Sequence, residues 1–581
     1  MFPRILNCVA TLAIIAANLP PLAASPAAFR AGNTRKCRHL PGDHEWPKED
    51  EWKHLNETLG GGLIRGKPLA QPCYGPARDA TTCESVREQW VADRLYCDDP
   101  VNVMFPYWLN DSCNPFTTRD GTCTLGNLAS YAINVSAASD VIHGVKFARK
   151  KNIRLIIKNT GHDVIGRSSG KGSLALWTHN LKNISVFNYT SGHYNGPAIR
   201  MGAGVQITQL NAVAGQNGLR AIGGYCPTVG VAGGYTQNGG YGALSASYGL
   251  AADNALEFEV ITTDGRHLTA SPDENPDLFW ALSGGGSGNY AVVISLTTKA
   301  HVDSSVAGAT FIFANTNPDA YWKAIAAWHE HLLVLNEIRG FSSVAVITSI
   351  AFRLNIATLP GGTEASMTTA LDPFLKKLES LNIAITSYKV TEKVTYFEHY
   401  NTYVTGDPDE FPPNNTVGER LVPQSTVQDD SQAVVNIFRE IMEDDTVPFQ
   451  AITLASSNVS LAQVGTTSGM RAVLPAWRSS LYTMNFGIAF PNDASVGEMQ
   501  RYQAKVNAWQ DRFKFLTDGA YINEATYDNP DWKQDYFGEN YAKLLDVKKK
   551  YDPEFVLWQH TSVGSDAYWE MTEGERLCRI V

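Results

Sequence analysis

The sequence predicts an α+β protein built from two or three structural units. The chain has 581 residues, more than one hydrophobic core ordinarily serves. From about residue 125 to 303, short strand-like runs alternate with helices and glycine-rich loops. From about 304 to 515, strands accompany long amphipathic helices and the glycine loops become few, which marks a second unit. Hydrophobic residues make up 44% and charged residues 18%, the balance of a globular rather than a disordered chain. The formal net charge of −10 repels phosphate backbones, so no nucleic-acid partner is expected.

Residues 1–24 read as a secretory signal. Arg4 supplies a basic start, and residues 8–17 form an apolar run too short to span a bilayer. Pro20 and Pro21 then break any helix, and Ala23-Ala24 offers small residues for cleavage. A secreted, extracellular protein is expected, with no membrane-spanning segment elsewhere. Export would make the Asn-X-Ser/Thr triplets at Asn56, Asn110, Asn134, Asn183, Asn188, Asn414 and Asn458 candidate glycosylation sites. It also makes disulfides the natural reading of the cysteines. Cys8 leaves with the signal. Cys37, Cys73, Cys83, Cys97, Cys113 and Cys123 crowd residues 25–124, read as a disulfide-tied extension packed on the main body. Cys578 lies in the tail, residues 571–581. No C-x-x-C spacing supports zinc, and no metal is expected. If Cys226 were in a disulfide all eight mature cysteines could pair; if it holds something else, one of the other seven has no partner.

The main body opens with a helix over residues 139–150, capped by Ser139 or Asp140 and closed by basic residues. Residues 154–158 and 174–177 read as strands on either side of the loop 161–172. A strand at 198–202 and a helix at 206–216, ended by Gly218, precede a second glycine-rich loop. Residues 256–262 form a strand that enters the hairpin turn Asp264-Gly265, and a strand at 291–297 closes the unit. In the second unit, residues 342–354 are strand-like, and 321–336, 431–443 and 496–513 are amphipathic helices. Residues 521–552 are dense in aromatics, with a helix at 540–550 stopped by Asp552-Pro553.

Several familiar motifs fail. The stretch 166–173 has Ile165 where a P-loop needs its first glycine, and Gly172 follows Lys171. Asn289 replaces the last glycine of a G-x-G-x-x-G, and the same stretch misses G-x-S-x-G. His329-Glu330-His331 lacks zincin spacing and reads as a solvated helix face.

Two loops remain. His162 sits in Thr160-Gly161-His162-Asp163, and Cys226 sits in Gly223-Gly224-Tyr225-Cys226-Pro227-Thr228-Val229-Gly230. Further glycines follow at Gly233-Gly234 and Gly239-Gly240-Tyr241-Gly242. Glycines let backbone approach a ligand closely and present bare N–H groups to anionic oxygens. Two such loops, each with one nucleophile, suggest a large anionic cofactor held from two sides. The plainer alternatives are a loop histidine satisfied by backbone, and a cysteine in a disulfide or a buried thiol.

The C-terminal part adds Tyr521-Ile522-Asn523-Glu524, then Asp535-Tyr536-Phe537-Gly538-Glu539-Asn540-Tyr541, then Tyr551-Asp552-Pro553. With both loops, these residues make the chain resemble the berberine-bridge-enzyme-like FAD-linked oxidases of the vanillyl-alcohol oxidase group, in their secreted, fungal form. The resemblance implies a PCMH-type two-part FAD-binding domain at 125–303. It implies a substrate domain at 304–515 with a mainly antiparallel sheet backed by helices, and a segment at 516–570 that returns to the FAD domain. It implies FAD held by two covalent bonds, from His162 to the flavin 8α-methyl and from Cys226 to flavin C6. Thr160, Gly161 and Asp163 would cradle the pyrophosphate. Gly233, Gly234, Gly239, Gly240 and Gly242 would run against the ring and ribityl chain, and Asp253, Asn254 and Val260 would line the adenosine end.

Val229 matches a position that shapes oxygen access, and a small residue there favours oxidase over dehydrogenase. Tyr521 matches the first tyrosine of the family's Tyr-x-Asn-Tyr pattern, but Glu524 stands at its fourth position. Hydride removal from an alcohol needs a base for the hydroxyl proton. Tyr521, Glu524 or a residue of the 304–515 sheet is left for that role, with Asn523 to orient a substrate or flavin oxygen. The expected activity is oxidation of an alcohol or related C–H donor, with O2 reduced to H2O2. The substrate would be a small sugar, phenolic or secondary metabolite, and the protein a monomer. The competing readings are a dehydrogenase with a non-oxygen acceptor and a catalytically silent flavin-binding surface protein.

Overall fold

Parallel strands of one sheet need a crossover, and helix Ala138–Lys151 supplies it between Tyr131–Asn134 and Arg154–Lys158, which lie on either side of Ser173–Trp177. It buries Val141, Val145 and Ala148, which share one face of the helix. It ends on Asn152 at φ 49°, a left-handed cap that asparagine tolerates. These strands belong to a four-stranded sheet in the spatial order Leu63–Arg65, Tyr131–Asn134, Ser173–Trp177, Arg154–Lys158, the last three parallel. Ser173–Trp177 is buried throughout, as a central parallel strand should be. The computed structural model describes residues 36–76, 78–105, 112–117, 121–404, 414–465 and 469–580. The expected signal segment and the triplet at Asn110 lie outside the described residues.

A second, five-stranded antiparallel sheet runs Ile184–Thr190, Asn195–Gly202, Val292–Lys299, Ala255–Ile261, His267–Ala270. The expected Asp264-Gly265 turn joins its last two strands. The glycine-rich loops leave from the ends of strands in this half: one follows Arg154–Lys158, the other follows the short strand Leu219–Arg220.

The third sheet has seven antiparallel strands. Their order is Ile385–Lys393, Val306–Ala314, Ala351–Pro360, Ser342–Ile347, Gln450–Ser457, Ser480–Ala489, Asn415–Pro423. Helices Pro318–Asn336, Glu364–Ser380, Gln424–Met442 and Val496–Phe513 share a core with one face. Pro318–Asn336 starts where the Asn317 side chain accepts from the Ala320 N–H. It buries Tyr321, Ile325, Trp328, Leu332 and Leu335 along one stripe. Strand side chains alternate, so Ile452, Leu454, Met484 and Ile488 join this core. Ala451, Thr453, Ala455, Asn485, Gly487 and Ala489 face a cavity on the other side.

One expectation fails in this helix. His329 and His331 do not face solvent: His329 is 0% exposed and pairs with the Ser431 and Tyr482 hydroxyls. His331 bonds the Ala370 carbonyl. The helix is flanked by Glu364–Ser380 and Gln424–Met442 as well as the sheet, so both histidines fall on packed faces and only Glu330 is exposed.

Residues 516–580 run back to the first half, where Leu557 bridges to Leu155. Asp552 organises this return. Its carboxylate accepts from the Val556 and Leu557 N–H groups and pairs with Lys548, both side chains being essentially inaccessible.

Six cysteines form Cys37–Cys578, Cys73–Cys83 and Cys113–Cys123. Among the described cysteines, Cys97 and Cys226 are outside these disulfides. Cys37–Cys578 ties positions 541 residues apart, next to a bidentate pair between Arg576 and Asp43. Cys578→Ser is expected to lower stability by about 2–4 kcal/mol, read as an earlier thermal unfolding transition; an unchanged transition would show that the bond contributes nothing. No helix among the described residues is long and apolar enough to cross a membrane. Among the triplets, Asn183 and Asn188 are exposed, whereas Asn414 is 5% exposed and hydrogen-bonded to Asn492, a packing incompatible with a glycan.

Candidate active site

The helix-free face of the seven-stranded sheet and the two glycine loops enclose a cavity of about 680 Å³. That is within the range of cofactor and ligand sites. Thr160, Gly161, His162, Asp163, Cys226, Val229, Gly233, Gly234, Tyr521, Asn523 and Glu524 all line it.

The loop after Arg154–Lys158 is shaped by Gly161 and Asp163. Gly161 has φ 90°, and a Cβ there would sit 3.3 Å from the Asn102 carbonyl oxygen and from the Lys158 side chain. Asp163 accepts from the Arg167 N–H at 2.8 Å and from the Ser168 hydroxyl at 2.7 Å, closing the loop on itself. Its carboxylate is therefore a brace for the loop, while backbone N–H groups are left for an anion.

His162 and Cys226 meet. Their Nε2 and Sγ atoms are 3.8 Å apart, and the Thr228 hydroxyl lies 2.7 Å from the same Nε2. Asp93, from the short helix Asp93–Cys97, completes the group, and its donor atoms with those of His162 and Cys226 lie within 4.8 Å of one another. Burial pushes the Cys226 thiol up to about 12, and the Asp93 charge adds to this. Burial works against the His162 imidazolium, but Cys97 and Asp93 beside it more than offset that, and its pKa is raised.

Across the cavity wall, Asn523 Nδ2 donates to the Gly234 carbonyl at 3.1 Å, and Asn523 also bonds Asn238 and the Tyr521 hydroxyl. Glu524 is held by Tyr241, whose O–H reaches its two oxygens at 3.2 and 3.0 Å, and by Asn485 Nδ2 at 2.6 Å. Burial raises the Glu524 pKa, and the Asn485 and Tyr241 donors only partly counter it. Behind it, burial pushes Glu419 up to about 8, with the Glu524 charge contributing. The two carboxyls interact, and burial disfavours the ionised form of both. Burial drives the Tyr521 hydroxyl well above the ordinary tyrosine range.

Six residues expected to line the cofactor are not on this cavity. Gly242 packs under the second loop, where a Cβ would fall 1.9 Å from the Gly223 carbonyl oxygen. Its glycine serves a loop-to-loop approach. Gly239 and Gly240, at φ 111° and 71°, turn the chain beside Leu250 and Ala251. Asp253 is 4% exposed and forms a two-pronged pair with Arg478, and its neighbour Asn254 bonds the Tyr248 and Leu250 carbonyls. Val260 is fully buried in the core of its strand.

The residues that sequence reading missed include Asp93, Asn159, Arg167, Tyr241, Asn485 and Gln559. Asn159 Oδ1, Arg167 Nη1 and Gln559 Oε1 belong to cavity-lining residues, are buried and have no hydrogen-bond partner among the described residues. Buried polar atoms are normally paired. The unpaired Arg167 nitrogen suits anionic oxygens and the two unpaired amide oxygens suit N–H or O–H donors, and with a histidine and a cysteine converging in one wall the lining fits a large polar group with an anionic part, such as FAD.

Comparison with known proteins agrees with this chemistry. A family model described as "FAD binding domain" matches residues 129–271, and one described as "Berberine and berberine like" matches residues 520–564. The FAD-linked oxidoreductase patO of Penicillium expansum is 38% identical, over 99% of this chain and 98% of its own length. The crystal structure of the VAO-type flavoprotein MtVAO615 from Myceliophthora thermophila superposes with a TM-score of 0.88 at 39% identity, covering 94% of this chain and 100% of that one. The Acremonium strictum glucooligosaccharide oxidase, whose structure is described as carrying a 6-S-cysteinyl, 8α-N1-histidyl FAD, shares the fold. Its TM-score is 0.61 at 20% identity, with 76% of this chain and 92% of that one covered.

Proposed function

Because this chain belongs to the berberine-bridge-like FAD-linked oxidoreductases of the vanillyl-alcohol oxidase type, we propose that it is a secreted oxidase that removes a hydride from a small alcohol and passes the electrons to O2 as H2O2. The observation that carries the reading is the position of Glu524: a buried carboxyl with a raised pKa, held by two donors, in the same cavity as the His162–Cys226 pair.

His162 and Cys226 would hold FAD by two bonds, the arrangement described for the glucooligosaccharide oxidase. The loop N–H groups around Gly161 and Arg167 Nη1 would meet its phosphates. When bound, FAD supplies the hydride acceptor and the route for electrons to O2. The chain's own residues do the rest. Glu524 takes the hydroxyl proton of the donor, because a desolvated carboxylate is a stronger base than in water. Tyr241 and Asn485 fix its position. Tyr521, raised by burial, stays protonated, and Asn523 holds the Tyr521 hydroxyl and Gly234 in place. The sheet face contributes Asn355, Thr453 and Asn485 among Val344, Val417 and Ala451, a wall suited to a hydroxylated donor with an apolar part. Val229 leaves the wall beside Cys226 small, which favours oxygen access. The disulfides suit an oxidising compartment, and the exposed triplets at Asn183 and Asn188 are the proposed glycan sites.

The test is an anaerobic titration with a panel of sugars, benzylic alcohols and phenols. At least one donor is expected to bleach the flavin, and admission of air to restore it with one H2O2 per turnover. Failure of every donor would favour the silent flavin carrier, and bleaching with slow recovery in air would favour a dehydrogenase.

A further inference from the structure

The N-terminal extension places a carboxylate where no role in substrate oxidation needs one. Asp93 is 2% exposed. Its Oδ2 accepts from the Thr228 hydroxyl at 2.8 Å and from the Cys226 thiol at 3.5 Å, and lies 3.7 Å from His162 Nε2. Its Oδ1 is buried with no partner among the described residues. Burying a carboxylate with half its hydrogen-bonding capacity unused is unfavourable, so a function is the better explanation. We propose that Asp93 is the proton acceptor for self-attachment of the flavin, acting directly on Cys226 and through Thr228 on His162. This rests on the covalent-FAD reading above and goes beyond it.

The hydrogen bonds set the roles. Thr228 donates its one hydroxyl proton to Asp93, so toward His162 it must accept. In the neutral imidazole, the form that can attack, this places the proton on Nε2 and the lone pair on Nδ1. As Nδ1 bonds the 8α-carbon, the Nε2 proton passes through Thr228 to Asp93. Cys226 cannot ionise unaided near neutrality, since burial holds its thiol near 12. Asp93 takes the S–H proton as sulfur bonds C6. In each attachment one C–H and one N–H or S–H bond are lost and one C–N or C–S bond is gained. The two electrons released pass to the ring and then to O2, which leaves as H2O2 with the two protons. The other groups facing this site are Lys158 and Cys97, both of which act on His162.

The experiment uses the purified full-length chain, acid denaturation, and peptide mass mapping of positions 162 and 226, with time courses after a pH step in air. Asp93→Asn is expected to retain FAD on native gel filtration but to form the Cys226 bond at least about 100-fold more slowly at neutral pH. Its rate should climb about tenfold per pH unit in the alkaline range, as thiolate forms without a base. Asp93→Glu should restore attachment. Thr228→Val should slow the His162 bond and spare the Cys226 bond, which keeps the test decisive if Asp93→Asn does not fold. A merely structural Asp93 would lower FAD retention without changing the pH slope, and that result, or wild-type attachment in both Asp93→Asn and Thr228→Val, overturns the proposal. Absence of both bonds from the wild type would instead refute the covalent-FAD reading beneath it.

Discussion

Glu524→Gln is expected to lower kcat by about 10²–10⁴-fold, with a much smaller change in KM. The amide keeps the shape and still meets Tyr241 and Asn485, so substrate binding survives while the proton acceptor is gone. Stopped-flow reduction with any donor that bleaches the wild type reads the effect directly. Tyr521→Phe is the control: it removes a hydroxyl that bonds Asn523 and should cost far less. If the order were reversed, with Tyr521→Phe collapsing the rate and Glu524→Gln leaving it intact, the base would be the tyrosine. The pH profile carries the same assignment. A base works only when ionised, so the rate should be full at high pH and fall as pH drops through the Glu524 pKa, which burial has raised above the usual glutamate value. Asn485 stabilises the charged form, so Asn485→Ala should move that acid limb to still higher pH.

The loops that make this site were readable because their chemistry is local. Gly161 stands at a positive φ, His162 and Cys226 are nucleophiles among glycines, and the two loops do converge. The sheet residues were not readable. Thr453 and Asn485 alternate with Ile452 and Met484, and a strand facing a polar cavity has the same pattern as one facing water. The misread histidines of Pro318–Asn336 fail for the same reason in reverse, since polar side chains signal solvent until a second helix covers them and supplies hydroxyl and carbonyl partners. Asp93 lay in a stretch whose cysteines drew the reading toward disulfides, and the contact with Thr228 spans 135 positions. Asp253 was placed at the adenosine end because nothing in the sequence announces Arg478 as its partner.

The second large effect concerns attachment. His162→Ala is expected to leave flavin bound through sulfur alone, and Cys226→Ala through nitrogen alone, so each single variant stays yellow after acid denaturation. The double variant should release all of its flavin on denaturation. Each lost bond should also slow reduction by donor, because both substituents draw electron density from the ring and make it a better hydride acceptor. Retention of acid-stable flavin in the double variant would place the attachment on other residues.

The most direct measurement is peptide mapping of the acid-denatured wild type. One flavin joining the peptide of His162 to the peptide of Cys226 is the predicted product, and unmodified peptides at both positions, or Cys226 found in a disulfide with Cys97, would contradict it.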